Sequence, residues 1–231
     1  LLDNTYFNHA AYASQWKADY VPSNGIGKIN SGSAVLSRWP FAEAKRYALE
    51  QIGEQDLVTR YFYLKRNVLK AKVAWEDREL YVLNTHTSAF SNDGTKRKQI
   101  LRFKELLDEV NAAGAVFVAG GDLNALPKES SQRKGFADEC DDAMFEGDDY
   151  TGEDEWLDEL YAAYTPAVNP VDFAADPEPH YTFTGTSDVP WNRKLDYLFT
   201  NGSWANGTTL THQDADSGGL STIERSDHAP V

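Results

Sequence analysis

The chain has 231 residues, enough for one domain with a full two-layer core, and its 41% hydrophobic and 13% aromatic content is that of a globular protein. A formal net charge of −14 opposes sliding along nucleic acid or adhesion to anionic lipid, because both rest on Lys and Arg neutralising phosphates, and no apolar run approaches the length of a membrane span. The single cysteine, Cys140, excludes an internal disulfide and a cysteine-based zinc site, and it leaves the redox compartment open.

In chain order, Tyr6, Phe7, Ala10, Ala13 and Trp16 recur at near-helical spacing and predict a helix from Asn4 to Lys17, ended by Pro22 and the Asn24-Gly25 turn. A strand from Ser33 to Ser37 follows and is closed by Pro40. Leu57 to Leu64, Asn67 to Trp75 and Leu80 to Asn84 alternate or run apolar around Arg66-Asn67 and Glu76-Asp77-Arg78, the pattern of an antiparallel meander. Ile100, Leu101, Phe103, Leu106, Leu107 and Val110 place a helix over Lys96 to Ala113, with charges on its other face and Gly114 as its stop. The apolar run Val116 to Ala119 reads as a buried strand that breaks at Gly120-Gly121.

Beyond Pro127 the chain turns polar. The acidic stretch from Asp138 to Asp158 lacks the spacing of an EF-hand and reads as a solvated loop. A short helix is expected near Glu155 to Tyr164, a loop from Pro166 to Pro179, and strands at His180 to Thr184 and Leu195 to Thr200 separated by the loop Gly185 to Lys194. There is no internal repeat and no linker, so residues 1–231 read as a single domain of mixed α/β, sandwich-like architecture.

Four short stretches share one design, an apolar strand with an ionisable residue inside or just after it: Asn84-Thr85-His86, Gly121-Asp122-Leu123-Asn124, Leu195-Asp196-Tyr197 and Ser226-Asp227-His228. Asp122 and Asn124 stand two apart, so they point from one face, and the glycines before them relax the backbone where the strand ends. A carboxylate inside an apolar strand, as at Asp196, costs several kcal/mol unless paired and therefore asks for a partner. His9 and His212 read as structural histidines, and His180 is left open.

In that order the four stretches resemble the N-x-H, G-D-x-N, D-Y and S-D-H signatures of the endonuclease/exonuclease/phosphatase superfamily, and Gly32 to Pro40 resembles its G-x-A-I-L-S-R-x-P strand. The resemblance implies a deoxyribonuclease-I-like α/β (α+β) fold: a four-layered α/β/β/α sandwich of two mixed, mostly antiparallel sheets. It also implies a divalent-metal-dependent hydrolase of phosphoester bonds, with Mg²⁺ or Mn²⁺ held by Asp227. His228 is then the general base, Asp196 fixes its tautomer, and Asp122 orients the nucleophile or protonates the leaving group. Asn124 and His86 donate to the phosphoryl oxygens, and Ser37, Arg38 and Arg193 are the candidate substrate contacts.

The family's early strands, one ending in Asn and one in Gln-Glu, are not visible ahead of Leu1, so the expectation is a chain lacking its first one or two strands. The substrate class stays open among nucleic acid, a phospholipid head group and a sugar phosphate, with no stable protein partner and no membrane span expected. The alternative is a binding module that keeps the scaffold without catalysis. Location is unassigned, with a secreted or periplasmic setting favoured over the cytoplasm.

Overall fold

A computed structural model of the chain describes residues 6–21, 27–53, 63–75, 78–89, 93–138, 149–186, 188–213 and 221–231. Most of the strand expected from Leu57, Cys140 and the centre of the acidic stretch lie outside these residues. The chain divides into two compact units, Leu1–Ala119 and Gly120–Val231.

The first unit opens with β1 (His9–Val21), which pairs antiparallel with β2 (Gly27–Ser37). A strand thus stands where the apolar spacing predicts a helix. The reason lies in the pairing: Ala11, Ala13 and Gln15 are buried in alternation with exposed or half-buried neighbours, and the register slips between Ser14 and Trp16. That bulge inserts one residue and reverses the phase, so a period of two is read as something closer to 3.6.

β3 (Phe41–Ala48), a strand that the sequence pattern does not predict, pairs antiparallel with β4 (Asn67–Trp75), and β4 pairs antiparallel with β5 (Arg78–His86) as expected, with Lys45 opposite Lys70 and Lys72 opposite Tyr81. The strand order in this unit is β3-β4-β5-β6, where β6 spans Val116–Asp122. β3 has no signature in the sequence because it is an edge strand, exposed at most of its positions. Ala11, Ala13, Val35, Leu69 and Ala71 make one core cluster, flanked by Phe41 and Val82. α1 (Thr95–Ala112) falls where its apolar stripe places it and buries Ile100, Phe103, Leu106, Leu107 and Val110. Asn84 Nδ2 donates to the Ala34 carbonyl at 3.0 Å, which ties β5 to β2.

In the second unit the strand order is β6-β8-β7, with β7 at Thr165–Pro166 and β8 at Asp196–Thr200. Gly120 is required here by close approach: a Cβ on it would lie 1.8 Å from the Tyr197 carbonyl oxygen. α2 spans Asp158–Ala163, inside the expected helix. α3 (Pro170–Ala175) stands within what reads as a loop. Its start signals are local: the Asn169 side chain accepts from Val171 N at 2.8 Å, and Pro170 occupies the first turn, where its missing N–H costs nothing.

The expected strand from His180 to Thr184 is also corrected. Glu178–His180 is a 3-10 turn, and Phe183 alone makes isolated bridges, one to Arg193 and one to His228. Among the described residues no helix is long and apolar enough to cross a membrane.

Candidate active site

The polar residues that the motifs single out in the second unit converge at the ends of β6 and β8. Asp196 opens β8, and its carboxylate Oδ2 lies 2.7 Å from Nδ1 of His228. Behind it the Thr182 hydroxyl accepts from two successive amides, Leu195 N at 2.9 Å and Asp196 N at 3.0 Å. The backbone amide of His228 donates to Ser226 Oγ at 3.0 Å, and the Ala229 amide donates to the Thr182 carbonyl at 2.8 Å. These bonds hold the main chain on both sides of the pair, which places the two Cα atoms for the side chains to meet.

On the other ring nitrogen, His228 Nε2 lies 3.8 Å from Asp122 Oδ2. That is too long for a hydrogen bond. Asp122 is the last residue of β6, and its carboxylate accepts from Asn124, through Oδ1 from the backbone amide at 2.8 Å and through Oδ2 from Nδ2 at 3.2 Å. Asn124 adopts φ 46°, a left-handed conformation that Asn tolerates better than most side chains. The amide that reads from the sequence as a donor to phosphate thus also clamps Asp122. A cavity of about 280 Å³ opens beside the pair, lined by Gly121, Asp196, Tyr197, Leu198 and His228 among others.

Burial alone would lower the His228 pKa, but the hydrogen bond to Asp196 and the charges of Asp196, Asp122 and Asp227 outweigh it and lift the imidazole to about 9. Two buried residues beside the pair have roles that the motifs do not announce. Lys194 is nearly fully buried, and its ammonium donates to the Asp196 carbonyl at 2.9 Å. Burial pushes it down to about 8, against the charge of Asp196. Tyr197 shares its single O–H between the carbonyls of Ala125 at 2.7 Å and Lys194 at 2.9 Å, and burial raises the phenol well above its ordinary range.

Arg193 departs from its expected role. Its side chain is fully buried, 2.9 Å from the equally buried carboxylate of Asp138, so it forms an internal ion pair and not a substrate contact. Ser37, Arg38 and His86 belong to the first unit. Ser37 is buried and its hydroxyl accepts from Trp39 N at 3.0 Å, which turns the chain at the end of β2. Arg38 is exposed, 6.0 Å from the Tyr6 ring, and Ser37 and Arg38 line an apolar cavity of about 270 Å³ with Val35, Val73 and Val82 among its walls. His86 closes β5 and is half-buried.

Asp227, the expected metal ligand, is exposed next to His228. Among the described residues no group of three or more His, Cys, Asp or Glu could hold a metal ion. Asp196 and Asp122 already accept from His228 and Asn124, which leaves Asp227 as a single carboxylate. The described residues therefore do not by themselves make up a divalent-cation site.

The sequence matches the model of the endonuclease/exonuclease/phosphatase family over residues 2–228. No curated protein matches it. Among solved structures it is similar to an endonuclease/exonuclease/phosphatase from Beutenbergia cavernae, at 19% identity and a TM-score of 0.59, over 99% of this chain and 53% of that one. It is also similar to the human Nocturnin catalytic domain with bound sulfate, at 13% identity and a TM-score of 0.51, over 84% of this chain and 60% of that one. A mannosyl-6-phosphatase from Bacteroides thetaiotaomicron shares 12% identity with a TM-score of 0.52, over 95% of this chain and 74% of that one. The chain thus spans little more than half the length of the first two. At these identities the likeness is one of fold, and the fold is the mixed α/β, deoxyribonuclease-I-like one that the motifs imply. With four motifs in order and a family match across nearly its whole length, the chain belongs to the endonuclease/exonuclease/phosphatase family.

Proposed function

We propose that this chain carries the reacting centre of a phosphoester hydrolase. The observation that carries the reading is the placement of His228, with Nδ1 2.7 Å from Asp196 and Nε2 3.8 Å from Asp122. One nitrogen is committed to an orienting carboxylate, and the other shares a gap with a second carboxylate in which one oxygen atom could touch both groups.

In this reading Asp196 keeps the proton of neutral His228 on Nδ1 and leaves Nε2 as the acceptor for a proton from the attacking water. The imidazolium that forms is stabilised by the same carboxylate. Asp122, steadied by Asn124, orients the water or returns a proton to the leaving oxygen. An imidazole with a pKa of about 9 is mostly charged at neutral pH. The neutral, proton-accepting form is then the minor one at rest. No covalent intermediate is needed.

Family enzymes are generally divalent-metal dependent. Mg²⁺ or Mn²⁺, with Asp227 as one ligand, is the ion this reading expects, although the described residues do not complete its ligand set.

The test is hydrolysis of bis-p-nitrophenyl phosphate and p-nitrophenyl phosphate with Mg²⁺, Mn²⁺ or EDTA, comparing the chain with His228→Ala. Turnover that depends on metal and disappears in the variant supports the hydrolase, and the diester-to-monoester ratio separates a phosphodiesterase or nuclease from a phosphatase. A folded chain without turnover in any of these conditions, and equally silent in an N-terminally extended form, overturns it.

A further inference from the structure

Arg193 and Asp138 form a buried ion pair 55 positions apart in the chain, each side chain without exposed surface. The carboxylate accepts three hydrogen bonds: from Arg193 Nη2, from Asn192 Nδ2 at 2.8 Å and from the Gly185 amide. A pair of this kind is weak evidence for stability, because two apolar side chains of similar volume often serve as well. What the pair does is fix the plane of the guanidinium. Its central carbon stands over both the Phe136 ring, 4.3 Å from its centroid, and the Phe183 ring, 4.7 Å from its centroid. Phe183 in turn meets the His228 imidazole at 4.9 Å between centroids, tilted by 60°.

The backbone runs the same way. Phe183 N donates to the Arg193 carbonyl at 2.9 Å, and Thr184 N donates to the Asp227 carbonyl at 3.1 Å. Residues 182–184 therefore lie between the segment that carries Asp196 and the segment that carries His228. Hydrogen bonds fix the imidazole at its edge, through Nδ1. Among the described residues the Phe183 ring packs against the imidazole in an edge-type contact, and the Arg193 guanidinium lies over the Phe183 ring in turn.

We propose that Asp138, Arg193 and Phe183 form a positioning stack that keeps the His228 ring aligned between Asp196 and Asp122. The stack deepens the hydrolase reading and rests on it. None of the three touches the reacting atoms. Phe183 acts on His228 directly, Arg193 acts through Phe183, and Asp138 acts through Arg193. Without the ring, the imidazole can tilt out of the line that joins the two carboxylates, which spoils proton transfer while leaving phosphate binding in place.

The test uses the full 231-residue chain. Phe183→Leu keeps an apolar side chain, and the double variant Asp138→Asn/Arg193→Met removes both charges together, so no buried ion is left unpaired. Histidine C–H resonances are followed by NMR, with His228 assigned from His228→Ala, alongside kcat and KM for the phosphodiester used above. The expected result for folded Phe183→Leu is a moved and broadened His228 resonance with those of His9 and His212 unchanged, and a kcat lower by about 10- to 100-fold at unchanged KM. The double variant shows the same spectral change, with a smaller loss of kcat. A folded Phe183→Leu that keeps both the His228 resonance and kcat overturns the stack. If the parent chain turns over no phosphoester, the hydrolase reading fails by itself, and the spectra still decide whether the stack holds the ring.

Discussion

His228 Nδ1 and Asp196 Oδ2 stand 2.7 Å apart although 32 positions separate them in the chain, and this hydrogen bond does most to raise the imidazole to about 9 against its burial. Asp196→Asn removes that charge and the strong hydrogen bond while conserving shape. A metal-free NMR titration is expected to place His228 near 9 in the parent and at a clearly lower pH in the variant. The sign carries over to folding. A histidine raised in the folded state contributes stability that is complete below its unfolded value of 6.5 and is lost as pH rises through about 9. A His228 that titrates at the same pH in both proteins would sink the pairing.

Gly120 and Tyr197 test the scaffold beneath that pair. A methyl group on Gly120 would meet the Tyr197 carbonyl at 1.8 Å, and the obstacle is backbone that cannot swing aside. Gly120→Ala is therefore expected to destabilise the protein by about 3 kcal/mol or more, a loss of the size that overpacking against rigid neighbours produces. Urea denaturation checks it, and a midpoint close to that of the parent would mean that β6 and β8 can part without cost.

Legibility of the fold follows the strength of each local pattern. β4 matches its expected limits, Asn67 to Trp75, and α1 lies within one residue of its own at each end, because in both the apolar period runs unbroken. β1 is misread because the bulge at Gln15 splits one period of two into two phases, and β3 leaves no trace because an edge strand buries little. Within the site, a carboxylate in an apolar strand shows that Asp196 needs a partner, and the resemblance of the motifs names His228 as that partner. Arg193 is misjudged for the opposite reason: in a polar stretch of sequence it reads as exposed, and only tertiary contact with Phe136 and Asp138 takes it into the interior. The clamp of Asn124 on Asp122 is likewise a matter of backbone geometry, a φ of 46° that composition does not announce.

That clamp separates two effects at one position. Asn124→Gly keeps the left-handed backbone at little cost but deletes the side-chain donor to Asp122, whereas Asn124→Ala deletes the donor and adds about 1 kcal/mol or more of strain. The glycine variant is expected to melt close to the parent and to lose turnover, and the alanine variant to lose turnover to the same extent while melting lower. Thermal unfolding beside the phosphodiester assay reads both quantities. Parental turnover in the glycine variant would remove Asn124 from the reacting centre.

Lys194 gives the clearest prediction in pH, because its ammonium is buried and its pKa falls from 10.5 to about 8. The sign is opposite to that of a lysine gaining a partner. Below pH 8 the ammonium is charged in both states, and the folded protein bears the full cost of desolvating it. Between about 8 and 10.5 the folded state releases the proton while the unfolded state still holds it, so stability rises with pH across that window. Lys194→Met keeps the length and the apolar stem and has nothing to titrate. Relative to that variant, the parent is expected to gain about 2 kcal/mol between pH 7 and pH 10, measured by urea denaturation at the two values. Taking the difference between the two proteins cancels His228 and Tyr197, which titrate alike in both. A constant gap would mean that Lys194 reaches water, and its bond to the Asp196 carbonyl would then be a surface contact, too weak to stiffen the start of β8.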